Sequence, residues 1–272
     1  MDLNVAGNVA AVVGGARGLG RAIAAAFLEE GARVALVDRD AEVEAAARAL
    51  AGDVGDDGPR ALAFLTDATD FPAVRALAVA VRARFGRVDH VVYAAGVGSG
   101  KFGMPFWNLE PGDWEHVLRV NLVGAVNVAH AFAPAMAEAR AGTFLFIASV
   151  AGQIGSPTDP PYSASKAGLI NFAQCAARDL APFGVRVNSL CPGMVRTELN
   201  RSVWAAWADR QPEADRPTYE AWADDKIRKL VPLGRWQRPE DIAAMAVFLA
   251  SPRAENVTGQ TVNVDGGYVM HW

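Results

Sequence analysis

The sequence predicts an α/β fold, a single doubly wound domain in which one parallel sheet of about seven strands is covered by helices on both faces. Three observations predict it. Apolar runs alternate with helical patterns along the chain, the apolar runs are nearly continuous, and a glycine-rich turn joins the first run to the first helical pattern. Near-continuous apolar strands separated by helices are typical of parallel sheets that are buried on both faces.

The predicted elements follow from where each pattern begins and ends. Strands are predicted at residues 9–13, 33–38, 61–66, 88–94, 143–149, 186–190 and 260–264. Helices are predicted near residues 18–30, 41–51, 71–85, 112–139 and 162–182. Gly31 suits the end of the first helix, because glycine readily adopts the left-handed conformation of a C-terminal cap. The stretch 54–59 is predicted to be a surface turn rather than a linker, so residues 1–272 form one domain.

Composition excludes several classes of protein. A chain of 272 residues with 51% hydrophobic content can bury a large core, which argues against disorder. Its net charge of −4 gives no reason to expect a nucleic acid or an anionic membrane as a partner. Cys175 and Cys191 are isolated and the four histidines are scattered. We therefore expect neither a disulfide framework nor a metal site.

The longest uncharged run, residues 120–137, nearly reaches the length of a membrane span. It contains Asn121, Asn127, His130 and Pro134, which are costly or disruptive in lipid. A helix in the core or at a subunit interface is the better interpretation. The first residues have neither the basic region nor the apolar core of a secretory signal, so we expect a cytoplasmic protein.

The glycine-rich turn has the form of a phosphate cradle. Gly14, Gly18 and Gly20 lie between the first predicted strand and the first predicted helix. Glycines allow the backbone to approach a pyrophosphate closely, and the free N–H groups and dipole of a helix N-terminus favour its negative charge. This turn predicts a dinucleotide site.

Tyr162 and Lys166 are the most informative pair in the chain. They are four residues apart at the start of a predicted helix, so both side chains leave the same face one turn apart. A tyrosine that carries protons at neutral pH needs a pKa about three units below its usual value of ~10, or about 4 kcal/mol of help. An ammonium one turn away favours the phenolate. Ser149 ends a predicted strand 13 residues earlier, and Asn121 lies within a long helical pattern.

In this order and spacing, these features resemble the classical short-chain dehydrogenase/reductase family, from about Gly7 to Tyr268. The resemblance implies a Rossmann-like fold and the role of acid and base for Tyr162. It further implies that Lys166 holds the nicotinamide ribose and lowers the pKa of that tyrosine, Ser149 bonds the substrate oxygen, and Asn121 anchors a proton-relay water. The cofactor site it implies consists of Gly14, Arg17, Gly18, Leu19, Gly20, Asp38, Asp67, Ala68, Ala94, Gly96, Tyr162, Lys166, Pro192, Gly193, Val195 and Thr197.

Two positions depart from the family pattern. Val13 stands where threonine is common before the first motif glycine. The family's Asn-Asn-Ala-Gly reads Tyr93-Ala94-Ala95-Gly96 here. We expect the loss of both asparagines to remove hydrogen bonds that tie the sheet to the neighbouring helix, and one contact near the adenosine ribose.

Asp38 points to NAD as the cofactor. It closes the second predicted strand, from which a carboxylate hydrogen-bonds the adenosine ribose hydroxyls. A 2′-phosphate at about 4 Å would be repelled by about 4 kcal/mol per pair of like charges. Arg17 and Arg39 complicate this, because both lie where a basic side chain can reach a phosphate. We favour NAD over NADP.

Substrate specificity is expected in residues 198–238, the segment that we call the lid. It is rich in aromatic residues, including Trp204, Trp207, Tyr219 and Trp222. These either pack the lid onto the body or form a pocket for a bulky, cyclic or polyol alcohol. Trp107 and the loop 98–103 are expected to form the opposite wall. The predicted substrate contacts are Ser149, Gln153, Tyr162 and Trp204.

The predicted function is NAD-dependent interconversion of a secondary alcohol and its ketone. The alternative enzyme is an NADPH-dependent keto reductase, such as an acyl-carrier-protein 3-oxoacyl reductase; an enoyl reductase would space Tyr and Lys more widely. A non-catalytic dinucleotide-binding protein is disfavoured, because Tyr162, Lys166 and Ser149 are all present. The apolar helices near 121–137 and 163–181 predict a homo-oligomer, a tetramer by resemblance to the family.

Overall fold

The computed structural model describes residues 2–51, 59–155 and 159–271. In these residues seven strands form one parallel sheet in the order β3-β2-β1-β4-β5-β6-β7. The strands are β1 (Val9–Val13), β2 (Arg33–Asp38), β3 (Ala61–Leu65), β4 (His90–Tyr93), β5 (Gly142–Ile147), β6 (Val185–Pro192) and β7 (Thr261–Val264). All five residues of β1 are buried, as expected for a central strand covered on both faces.

Helices cover both faces of the sheet. They are α1 (Gly18–Glu29), α2 (Glu42–Ala51), α3 (Phe71–Phe85), α4 (Pro111–Leu118), α5 (Gly124–Ala139), α6 (Pro160–Leu180), α7 (Glu198–Ala208), α8 (Tyr219–Leu230) and α9 (Pro239–Ala250). One core cluster packs α1, α2 and α9 against the sheet, and the other packs α3, α5 and α6 against its opposite face. The predicted fold class is confirmed. Helices α7 and α8 belong to the lid and pack on each other around Tyr219 and Trp222.

The helix predicted over residues 112–139 is interrupted. A π turn, Arg119–Val123, separates α4 from α5, although the three pieces run on as one helical segment. This segment is long and apolar enough to cross a membrane by length and composition alone. It instead places Val128, Phe132 and Met136 in the core. A π turn within an α-helix is often found at a functional site, and this one contains Asn121.

The sheet order reverses between β1 and β4, because the chain first builds outward to β3 and then returns to the other side of β1. At such a switch point the loops after two neighbouring strands turn to opposite faces and leave a crevice at the carboxyl ends. Gly14, which follows β1, and Ala94 to Gly96, which follow β4, lie at this edge. The surface turn predicted at 54–59 falls mainly on residues 52–58, which lie outside the described part of the chain.

Candidate active site

The first groove lies at the switch point, between the turn after β1 and the loops after β2, β3 and β4, and has a volume of about 270 Å³. Gly18 has φ +58°, and a side chain there would project into open space. A Cβ on Gly20 would lie 2.0 Å from the carbonyl oxygen of Gly14, so only glycine allows this close packing. Helix α1 begins here without a side-chain cap and without an acidic residue in its first turn. Its free N–H groups suit the pyrophosphate of a dinucleotide.

Asp38 lines the groove at the end of β2. Its Oδ2 accepts from the N–H of Ala16 at 3.0 Å, and its Oδ1 accepts from the N–H of Asp40 at 3.1 Å. These bonds fix the carboxylate where the adenosine ribose of a dinucleotide would lie. Arg17 is paired, because its Nη1 is 3.4 Å from Oδ2 of Asp40 and 3.8 Å from Oε2 of Glu42.

Arg39 is exposed and lines the same groove. In the described residues it forms no ion pair. Of the two arginines that complicated the assignment of the cofactor, the structure therefore leaves Arg39 as the one without a carboxylate partner.

Asp67 and Ala68, which are predicted to contact the adenine, line one end of the groove. Oδ1 of Asp67 accepts from the N–H and the hydroxyl of Thr69, both at 2.8 Å. The backbone bond from Thr69 is the main reason that the pKa of Asp67 lies below its usual value. The carbonyl of Ala68 accepts from Nδ2 of Asn127 at 3.0 Å. Hydrogen bonds to helix α5 and within the turn therefore hold this loop in place.

A second cavity of about 370 Å³ continues from the groove, and both share Leu19, Ala94, Gly96 and Thr197. Ser149, Tyr162 and Lys166 line it together; we call these three residues the catalytic wall. Pro192, Gly193 and Val195, from the loop after β6, line it as well. The structure thus brings the predicted cofactor residues and three of the four predicted catalytic residues together along one continuous depression, while Asn121 lies behind it.

Tyr162 and Ser149 face each other across the first turn of α6. Ser149 follows β5 in extended conformation, and its Oγ accepts from the N–H of Ala151 at 3.1 Å. Burial raises the pKa of Tyr162 to about 12, and the hydrogen bond with Ser149 acts in the opposite direction. A hydroxyl pair in a buried cavity is suited to bind one polar oxygen of a ligand.

Lys166 is buried, and its Nζ donates to the carbonyl oxygen of Ile147 at 2.7 Å. The Nζ lies 5.6 Å from the centroid of the Tyr162 ring. Burial lowers the pKa of Lys166 to about 8. Gly96 makes room for it, since a Cβ there would lie 3.2 Å from Nζ.

The role of Lys166 in lowering the pKa of Tyr162 stays a prediction. Burial is the dominant effect on the tyrosine, and the ammonium is directed at the backbone of Ile147 rather than at the phenol. Positive charge brought into the cavity by a ligand would lower the pKa of the phenol.

Asn121 is fully buried behind the cavity. Its Nδ2 donates to Ser165 Oγ and to Val97 O, both at 2.9 Å, and its Oδ1 accepts from Val97 N at 2.8 Å. Both amide hydrogens are thus used, and the side chain ties the loop after β4 to α6. A relay water at this position would have to use the backbone of the π turn. The relay role stays a prediction.

The expected loss of the tie between sheet and helix is wrong. Tyr93 is fully buried, and its hydroxyl donates to the carbonyl oxygen of Val120 at 2.5 Å. The phenol is long enough to span the distance from β4 to the π turn. Gly124 makes this possible, because a Cβ there would lie 2.4 Å from the tyrosine oxygen. The tie therefore persists with a different side chain, one residue before Asn121.

Two predicted substrate contacts, Gln153 and Trp204, and the predicted wall residue Trp107 do not line the cavity. Gln153 exchanges two amide hydrogen bonds with Asn263, at 2.7 and 2.9 Å, so its polar atoms are used to hold β7. Trp204 packs edge to face on Tyr219 in the lid. Trp107 is 69% exposed. Gly98 from the loop 98–103 does line the cavity, but Trp107 does not.

The prediction from sequence missed several residues of the cavity wall. They are Ile154, Asp159, Met194, Asn200, Val203, Lys226, Leu230 and Tyr268, whereas Trp222, one of the aromatic residues named for the lid, does line the cavity. Val203 precedes Trp204 by one position, which on a helix turns the next side chain away by about 100°. Trp204 and Trp207 of α7 therefore pack toward α8, while Val203 lines the cavity.

Comparison with known proteins agrees with this geometry. A family model described as enoyl-(acyl carrier protein) reductase matches residues 14–269. D-threitol dehydrogenase of Mycolicibacterium smegmatis is 38% identical, covering 99% of this chain and 95% of its own. Sorbitol dehydrogenase of Cereibacter sphaeroides is 35% identical, covering 97% and 98%. The 3-oxoacyl-acyl-carrier-protein reductase of Thermotoga maritima is 31% identical, covering 98% and 100%.

The solved structure of gox2181 superposes with a TM-score of 0.82 at 32% identity, covering 98% of this chain and 97% of that one. The matches span the glycine turn, the serine after β5 and the Tyr162–Lys166 pair alike. On the groove, the catalytic wall and these relatives together, the chain belongs to the classical short-chain dehydrogenase/reductase family, oxidoreductases that act on CH–OH groups.

Proposed function

We propose that this protein oxidises a secondary alcohol of the polyol class to its ketone with NAD as the hydride acceptor. The observation that carries the proposal is the continuity of the two cavities, which puts the catalytic wall at the inner end of a groove fitted to a dinucleotide. Relatives named for D-threitol and sorbitol support the polyol class.

In this proposal Tyr162 takes the hydroxyl proton of the substrate, and Ser149 donates a hydrogen bond to the oxygen as negative charge develops on it. Lys166 supplies a path for the proton and places positive charge near the Tyr162 ring. Thr197, Pro192 and Gly193 line the cavity, where they would border a bound nicotinamide. When bound, the nicotinamide supplies the hydride acceptor, and its oxidised ring adds the positive charge that favours the phenolate.

Asp38 supports NAD as the preferred cofactor. The carboxylate is fixed by two backbone N–H groups and would face a 2′-phosphate directly. Asp40 and Glu42 add negative charge nearby and hold Arg17. Arg39 is the feature that favours the alternative, an NADPH-dependent reductase such as the 3-oxoacyl relative. Enoyl reduction is disfavoured by the four-residue spacing of Tyr162 and Lys166.

The proposal includes a homo-oligomer, most simply a tetramer, located in the cytoplasm. Exposed apolar and small side chains on α5 and α6, such as Ala164 and Ala167, support a subunit contact. Closed two-fold contacts are the usual way in which such surfaces are buried. Light scattering that finds a 28.7 kDa monomer at micromolar concentration contradicts this part of the proposal.

The experiment is an assay of NAD and NADP reduction with tetritols, hexitols, simple secondary alcohols and hydroxysteroids. We expect wild type to oxidise polyols and to prefer NAD over NADP by at least about tenfold in kcat/KM, the effect of one unfavourable charge pair after solvent screening. Asp38→Ser should shrink that preference, because Arg39 then meets a phosphate without an opposing carboxylate. A wild-type preference for NADP overturns the cofactor assignment.

A further inference from the structure

Asp159 is the most unusual group on the wall of the substrate cavity. It is 7% exposed and lines the cavity beside Tyr162. Its Oδ2 accepts from the N–H of Ser99 at 2.8 Å. Its Oδ1 is fully buried and has no hydrogen-bond partner in the described residues. A buried carboxylate oxygen without a donor is costly, so its retention at this place needs a physical reason.

The position of Asp159 in the fold does not supply that reason. It stands at the N-cap of α6, where an aspartate usually accepts a hydrogen bond from the first turn. Asp70 does so at α3, where its Oδ1 accepts from the N–H of Ala73. Asp159 makes no capping hydrogen bond. Burial is the main influence and raises the pKa of Asp159, while the N–H and hydroxyl of Ser99 and the N–H of Tyr162 act in the opposite direction.

The chemistry of a carboxylate limits the ligand that satisfies Oδ1. A carboxylate only accepts, so the ligand must bring a donor. The donor must lie near the reacting carbon, because Asp159 and Tyr162 line the same cavity and are three residues apart at the start of α6. A second hydroxyl of the substrate meets both conditions. Because Oδ1 has no accessible surface in the present side-chain conformation, the carboxylate must rotate to bring this oxygen to the cavity. A 3-oxoacyl thioester offers only acceptors around its reacting carbonyl group.

The lid side of the same cavity presents the opposite type of group. Lys226 lines the cavity with its Nζ 4.3 Å from the centroid of Trp222, and it forms no ion pair with any described residue. An ammonium only donates. Hydroxyl groups both donate and accept, so a polyhydric alcohol satisfies Asp159 and Lys226 together.

We infer that Asp159 determines specificity by accepting a hydrogen bond from a second hydroxyl of the substrate, so that the site selects polyhydric over monohydric alcohols. This inference rests on the proposed function and deepens it. The alternative enzyme, a 3-oxoacyl reductase, has no use for a bare carboxylate oxygen at this place.

The test compares kcat/KM for butan-2-ol, butane-2,3-diol and a tetritol in wild type, Asp159→Asn and Asp179→Asn. Asparagine keeps an oxygen for Ser99 but removes the charge. Asp179 is an exposed residue on the same helix, outside the cavity, and serves as the matched control. Wild type should prefer the diol and the tetritol to butan-2-ol.

Asp159→Asn should lower kcat/KM for the polyhydric alcohols about 10- to 100-fold, the range for a hydrogen bond to a charged group, with butan-2-ol changed less than about twofold. Asp179→Asn should change nothing. A wild-type preference for butan-2-ol overturns the inference, and this result does not depend on whether the variant folds. An equal loss of kcat/KM on all three alcohols in Asp159→Asn overturns it as well. Wild type that oxidises none of the alcohols overturns the proposed function instead.

Discussion

The two sides of the substrate cavity are held by different kinds of contact. Around the catalytic wall, polar side chains bond to the backbone: Lys166 to Ile147, Asn121 to Val97 and Tyr93 to Val120. In the lid, aromatic rings pack on one another with centroids between 5.9 and 6.3 Å apart. The rings in contact are those of Trp204, Trp207, Tyr219, Trp222 and Trp236.

This difference has a physical consequence for function. A hydrogen bond is directional, so a network of them fixes the positions of reacting groups to within a few tenths of an ångström. Ring packing is tolerant in direction and can be rearranged by substitution at modest cost. The catalytic wall is therefore suited to keep one chemistry, while the lid is suited to change the substrate. Substitutions on the two sides of the cavity test this division.

The largest effect is expected for Tyr162→Phe, which removes only the transferable proton. Turnover should fall by several orders of magnitude with every alcohol alike, about the 10²–10⁴-fold usually attributed to acid–base catalysis. NADH binding, followed by fluorescence, should remain near wild type. Retention of more than about a tenth of the wild-type rate excludes Tyr162 as the acid and base.

The tie between β4 and the π turn predicts a coupled pair of substitutions. Gly124→Ala places a Cβ 2.4 Å from the Tyr93 oxygen and should cost about 1–3 kcal/mol in the free energy of unfolding. Tyr93→Phe removes that oxygen, and the nearest ring carbon is 3.4 Å away, an ordinary contact. The double variant should therefore be more stable than Gly124→Ala alone, by urea unfolding.

A double variant that is no more stable than Gly124→Ala would show that the clash is relieved elsewhere. Tyr93→Phe alone is the control for the lost hydrogen bond, which should cost about 1–2 kcal/mol. Additive effects of the two substitutions would mean that the residues do not interact.

A smaller effect with the opposite sign is expected for Lys166→Met. Burial lowers the pKa of Lys166 to about 8, so its charged form is disfavoured in the fold. At pH 7 removal of the ammonium should raise the free energy of unfolding by about 3 kcal/mol. About 1–2 kcal/mol of this gain is lost because the carbonyl oxygen of Ile147 no longer has a donor. The inactive variant should thus unfold at higher urea concentration than wild type.

The difference in stability between Lys166→Met and wild type should change with pH in a definite direction. Between about pH 8 and pH 10.5 the unfolded chain binds the proton of Lys166 and the folded protein does not, so wild type gains stability as pH rises. The advantage of Lys166→Met should shrink across this window. An advantage that is constant with pH contradicts a buried, charged Lys166.

Much of the fold and of the catalytic wall was predictable from sequence. Strand β1 is a continuous apolar run directly before the glycine-rich turn, and Tyr162 and Lys166 are one helical turn apart. These signals are local. The π turn at Asn121 was not predicted, because one extra residue in a helical turn leaves the apolar pattern of residues 112–139 nearly unchanged.

The substrate side was less predictable, because its contacts join residues distant in sequence. Gln153 is 110 positions from Asn263, and the amide of Asn263 forms hydrogen bonds with the polar atoms of Gln153. The direction of the Trp204 side chain depends on how α7 packs on α8, which the spacing of the tryptophans in the sequence does not reveal. Asp159 was overlooked because an aspartate before a helix is ordinary capping chemistry in a sequence.

The division between the two sides is tested most directly by one ratio, kcat/KM for a tetritol over kcat/KM for propan-2-ol. We would measure it in wild type, Ser149→Ala and Trp222→Ala. Ser149→Ala should cost about 3 kcal/mol with both alcohols, the scale of one oxyanion donor, and leave the ratio unchanged. Trp222→Ala, in the lid, should change the ratio about tenfold while propan-2-ol is oxidised at nearly the wild-type rate. A ratio that moves in Ser149→Ala and stays fixed in Trp222→Ala would contradict the account.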